Sequence, residues 1–67
     1  MSIERDLIES ITNGNFNYFH EEMKMYASSN RHNFGDLTAM ANNYLTRSEL
    51  EVFHRHVFLT LVKEVTL

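Results

Sequence analysis

The side chains best suited to chemistry in this sequence are histidines and paired carboxylates. His54-Arg55-His56 sets two imidazoles two positions apart. A helix that chelates a metal presents ligands three or four positions apart, on one face. Two positions turn a helix by roughly 200°, so His54 and His56 face opposite sides of it. Only on a strand would they share a face. Glu21-Glu22 and Glu49/Glu51 offer carboxylates, the groups that general acid–base chemistry uses. Neighbouring helical positions diverge by roughly 100°, so Glu21 and Glu22 do not converge, and His20 beside Glu21 fails for the same reason. These residues read as solvated or interface surface. Nucleophilic catalysis needs a Ser, Thr or Cys beside a base, with donors for the developing oxyanion. The chain has no cysteine, no Gly-x-Ser-x-Gly and no glycine-rich loop. A domain this small also lacks room for a pocket of about 300 Å³, the lower end for small-molecule sites. The expectation is a non-enzyme with no catalytic residues, no cofactor, no metal and no small-molecule substrate.

Length and composition narrow the architecture. The 67 residues allow one domain with one small core. A chain of this size buries only about 60% of its unfolded surface. Small scaffolds commonly add disulfides, a metal or a partner, and the lack of cysteine excludes disulfides. An apolar content of 43% is too high for compositional disorder. No proline and only two glycines, Gly14 and Gly35, interrupt the chain, which argues for helices on short connections. The start, Met1-Ser2-Ile3-Glu4-Arg5-Asp6, lacks the basic and then apolar pattern of a signal peptide. Apolar runs such as Val57-Phe58-Leu59 are too short to span a bilayer. A cytoplasmic protein is the expectation. The basic residues Arg5, Lys24, Arg31, Arg47, Arg55 and Lys63 are scattered and outnumbered, so no basic stripe marks a nucleic-acid surface. Protonation of all four histidines (His20, His32, His54 and His56) would reverse the sign of the formal charge of −3, a basis for pH-dependent association.

The elements that must position these residues read as four helices. The first spans about Ser2 to Asn13. Ser2 is suited to the N-cap, Glu4 and Asp6 favour the positive helix end, and Ile3, Leu7, Ile8 and Ile11 form an apolar stripe. Gly14 suits the left-handed position that ends it. The second starts near Asn15 or Asn17 and reaches about Ser28, with Phe16, Phe19, Met23 and Tyr26 on one face. Ser28 to Asn33 is a polar connection of turn formers. The third runs from about Phe34 to Tyr44, capped by Asn33 or Asp36, with Phe34, Leu37, Ala41 and Tyr44 as its apolar face. The fold class expected is all-α, a small bundle of three to four short helices with a longer C-terminal helix, over residues 1–67 as a single domain.

The C-terminal helix carries the strongest signals. Thr46 and Glu49 form a capping box, and Leu45 and Leu50 sit where a hydrophobic staple would close over it. Leu50, Phe53, Val57 and Leu61 make one apolar stripe, and Phe58, Val62 and Val65 a second beside it. A helix apolar on most of its circumference must be covered on most of its circumference. Phe19, Met23, Leu50 and Phe53 are expected as core. Val52, His56, Leu59 and Val65 are expected at a partner surface. The functional expectation is a protein-interaction module, a regulator, inhibitor or adaptor that docks through this helix on a larger protein. The alternative is a homodimer or higher oligomer built on the same helix. A helix-turn-helix reading of the last two helices places Glu49 and Glu51 where phosphates would lie, which disfavours nucleic acid as partner.

Leu45-Thr46-Arg47-Ser48-Glu49-Leu50-Glu51-Val52-Phe53 resembles the segment opening the last long helix of the Hha/YmoA family, small helical partners of the nucleoid protein H-NS. The resemblance covers under a third of the chain. That family's acidic-His-Arg stretch further along the helix is replaced here by Phe58-Leu59-Thr60, and no contact residue is carried over.

Overall fold

Three of the four helices, the first, third and fourth, start where a side chain satisfies free backbone groups of the first turn. The computed structural model describes the backbone of residues 2–65 and the side chains of residues 2–62. α1 (Ile3–Thr12) is capped by Ser2, whose hydroxyl accepts from the Arg5 N–H at 3.2 Å and donates to the Glu4 carboxylate at 3.0 Å. It ends in a Schellman motif. The Gly14 N–H reaches the Ile11 carbonyl at 3.1 Å and the Asn15 N–H reaches the Ser10 carbonyl at 2.8 Å. This needs a left-handed residue, and Gly14 supplies it with φ +71°. The chain turns directly into α2 (Phe16–Ser28).

The connection from α2 to α3 is held by one phenol. The Tyr26 hydroxyl accepts from the Asn33 N–H at 2.6 Å, and it lies 2.7 Å from the Glu4 carboxylate and 2.8 Å from the Asn33 carbonyl. Its single proton must serve both acceptors. α3 (Phe34–Tyr44) begins at Asn33, whose side chain accepts from the Asp36 N–H and donates to the Asp36 carboxylate, each at 3.1 Å. α4 (Arg47–Val65) opens on the reciprocal capping box that the sequence predicts. The Glu49 N–H donates to the Thr46 hydroxyl at 3.3 Å, and the Thr46 N–H donates to the Glu49 carboxylate at 2.8 Å.

The architecture is all-helical, four helices with no strand among the described residues. α1 and α4 pack on each other, and α2 and α3 each pack on both. The core between them is Leu7, Ile8 and Ile11 of α1, Phe19, Met23 and Tyr26 of α2, Leu37 and Ala41 of α3, Leu45, and Phe53 of α4. Phe19 and Phe53 meet edge to face, with ring centroids 6.0 Å apart, a favoured aromatic geometry. Phe16, Met40, Leu50, Val52 and Val57 pack around this cluster half-buried. No buried side-chain nitrogen or oxygen among the described residues lacks a hydrogen-bond partner. No helix there is long and apolar enough to cross a membrane.

The apolar stripes are shorter than periodicity predicts. Ile3 is 50% exposed and Tyr44 68% exposed, although each continues its stripe. They are the first residue of α1 and the last of α3. Phe34, first in α3, is also exposed, with Tyr26 meeting it edge-on at 5.8 Å.

Candidate functional site

α4 determines what the molecule can offer, and its buried face is turned from the one its hydrophobicity predicts. Phe53 and Thr60 are buried and His56 is half-buried, one to two turns apart on a single face. Leu50, Val57 and Leu61, from the first predicted stripe, are only half-buried at its margin. Phe58 belongs to the second stripe. It is 64% exposed, and its neighbour Leu59 is 46% exposed.

Two polar residues take the buried face because their hydrogen bonds are met there. The Thr60 hydroxyl donates to the His56 carbonyl at 2.7 Å, the back-bond to position i−4 that lets threonine sit inside a helical face. His56 Nδ1 lies 2.8 Å from His20 Nε2 of α2. Phe16 stacks on His56 with centroids 4.2 Å apart and planes 9° from parallel. Phe19 meets both imidazoles edge-on. The seam between α2 and α4 is thus an aromatic box around a histidine–histidine hydrogen bond.

The geometry of that bond limits its chemistry. The ring centroids are 5.0 Å apart while the two nitrogens are 2.8 Å apart. The bond therefore runs nearly along the line joining the rings, and the nitrogens face each other rather than a common third point. A metal needs ligand lone pairs that converge on it. Among the described residues no three His, Cys, Asp or Glu side chains stand together to hold a metal ion. The buried hydroxyls are tied back to their own helices, Ser10 to the Leu7 carbonyl at 2.6 Å and Thr60 to that of His56.

The four residues expected at a partner surface fall in different places. Val52 is half-buried against the core cluster. His56 faces α2, bonded to His20, while His54 on the other side of the helix is exposed. Leu59 is exposed. Val65 lies outside the described side chains. Phe58 was not among them and is the most exposed apolar side chain described on α4. The signal that finds it is rotational. Once Phe53, His56 and Thr60 point inward, position 58 falls on the opposite side of a helix with roughly 100° per residue.

Elsewhere two phenol–carboxylate bonds staple α1 to α2. Tyr18 donates to Asp6, which pushes the Tyr18 hydroxyl up to about 12. The bond from Tyr26 holds the Glu4 carboxyl below its usual range, and burial pushes Tyr26 itself upward. Comparison of the chain with protein families, with curated proteins and with solved structures finds no match.

Proposed function

We propose that this chain is a small non-enzymatic protein-interaction module that docks through the distal half of α4 on a larger protein. The observation that carries this reading is the pair Phe58 and Leu59, adjacent and both exposed on α4. Toward the N-terminal end the exposed side chains of the same helix are polar: Arg47, Glu51, His54 and Arg55. Among the described side chains, the exposed ones therefore change from mostly charged at residues 47–55 to apolar at residues 58–59. An amphipathic helix laid in a hydrophobic groove presents anchors of this kind. A specific interface, with a larger protein or with a second copy, buries about 600 Å² or more per partner, whereas one aromatic side chain supplies about 150–250 Å². A concave partner that wraps α4 extracts more contact from two anchors than a flat self-interface does.

The test combines association and folding. Light scattering coupled to size-exclusion chromatography should show the wild type as a monomer across concentration. Leu59→Lys should keep the circular dichroism spectrum and melting temperature, yet lose a partner that co-purifies with wild type from native cells. A tight wild-type dimer that Leu59→Lys dissolves would establish self-assembly instead. Unfolding of Leu59→Lys would make α4 only core and remove the basis of the proposal.

A further inference from the structure

Asn13-Gly14 closes α1, and Asn13 is exposed. Asparagine is a thermolabile residue type, and its loss of ammonia uses the amide nitrogen of the residue that follows. That nitrogen attacks the side-chain carbonyl carbon and closes a five-membered imide. A following glycine has no Cβ to hinder the approach. The space around Gly14 is open, and apart from its chain neighbours nothing lies within 4 Å of where a Cβ would stand. Asn13-Gly14 is the one Asn-Gly pair in the chain. We propose that Asn13 is a self-modification site, an asparagine whose deamidation is held back by the turn at the end of α1 and released when that turn opens.

Two features of the folded turn hold the reaction back. With ψ −5° at Asn13, the Gly14 nitrogen eclipses Asn13's own nitrogen about the Cα–C bond. The imide needs it to eclipse Cβ instead, about a third of a turn away on a tetrahedral carbon. The Gly14 N–H is also committed to the Ile11 carbonyl at 3.1 Å, and the next N–H, of Asn15, to the Ser10 carbonyl at 2.8 Å. The peptide plane between Asn13 and Gly14 cannot turn while these bonds hold. Opening of a terminal turn is a local event that leaves the rest of a fold in place.

The reaction balances with water as the other reactant. The Gly14 nitrogen loses its proton and bonds to Cγ of Asn13, the bond from Cγ to the side-chain nitrogen breaks, and that nitrogen leaves as ammonia. Water then adds to either carbonyl of the imide, giving aspartate or isoaspartate. Either product adds one negative charge at the C-terminal end of α1, the negative pole of the helix dipole. Asn13 lines one cleft with Asp6 and Glu9 of α1 and a second with Glu49 of α4. The charged residues lining both clefts therefore have the same sign as the new carboxylate. Isoaspartate also lengthens the main chain by one carbon, which shifts Gly14 out of register with Ile11. The modification weakens the end of α1, and it stands independently of the docking reading.

The experiment is peptide-resolved mass spectrometry of the full chain aged in neutral buffer, both folded and unfolded in urea. Asn13 should lose its amide in both samples ahead of the other asparagines, with aspartate and isoaspartate as products. Loss in the folded chain should be slower by about ten- to a hundredfold, each tenfold being about 1.4 kcal/mol of opening free energy. Asn13→Asp, which sets the carboxylate in place, should keep the helical circular dichroism spectrum and melt about 1–8 °C below wild type. Equal or faster loss in the folded chain would overturn the gating by the turn. Earlier loss at another asparagine, or an Asn13 amide that persists in the folded chain across that range of times, would overturn the site itself. A melt of Asn13→Asp unchanged from wild type would overturn the weakening of α1. If Asn13→Asp does not fold, the two wild-type rates still decide.

Discussion

At the scale of single residues, two phenols hold α1 to the rest of the molecule. Tyr18 on Asp6 makes a pH-readable contact. A tyrosine whose neutral form is held in the folded state contributes stability at and below its ordinary value of 10, and that contribution is lost as pH rises toward 12. Ultraviolet titration should show one phenolate forming only near pH 12, and Asp6→Asn should bring it back toward 10. A tyrosine absorbance that titrates identically in both proteins would mean the bond is absent in solution. Glu4 works with the opposite sign. Its lowered folded value means that its contribution is present above pH 4.5 and lost as pH falls below it. The stability gap between wild type and Glu4→Gln, read from urea midpoints, should therefore close on acidification. Tyr26→Phe removes the acceptor for the Asn33 N–H and should cost about 1–3 kcal/mol.

At the scale of elements, side-chain caps mark where α1, α3 and α4 begin. Thr46→Ala removes one side of the α4 capping box and should destabilise the fold by about 1 kcal/mol. For a domain of this size that is a fall in melting temperature of about 4–8 °C. A melt unchanged from wild type would show that Thr46 does not hold the Glu49 N–H. α4 also shows why apolar count is an incomplete guide to a buried face. His56 and Thr60 occupy that face because a cross-helix bond and a back-bond satisfy them. Phe58 stands outside it although it is more apolar than either.

For the molecule as a whole, cooperativity follows from size. α1, α2 and α3 have 10, 13 and 11 residues. Isolated helices shorter than about 12–15 residues are marginal in water. Their helicity therefore depends on packing against α4 and one another, and a chain of residues 1–45 should lose most of its far-ultraviolet helical signal. Total stability for a chain of this length is about 3–10 kcal/mol. Phe19, fully buried at the crossing of α2 and α4, should cost about 3–5 kcal/mol when cut to Ala. That is a large share of the total, and equilibrium unfolding should report an unfolded or nearly unfolded variant.

What the sequence alone determined is local. Caps at Ser2 and Thr46 and the left-handed glycine at Gly14 act within a few residues, so the four helices were legible from residue types at short spacing, while the start of α2, which has no side-chain cap, and the choice of Asn33 over Asp36 were not. Of the residues expected as core, Phe19, Met23 and Phe53 are buried and Leu50 is half-buried against them. Tertiary structure decided the rotation of α4 about its own axis. That angle depends on which side chains of α2 meet it, and it is set by the fit of Phe16, Phe19 and His20 around Phe53 and His56. The pairing of His20 with His56 spans 36 positions and leaves no periodic mark. The exposure of Phe58 and Leu59 is the other side of the same rotation: a helix face turned inward by long-range contacts fixes which residues are left facing out.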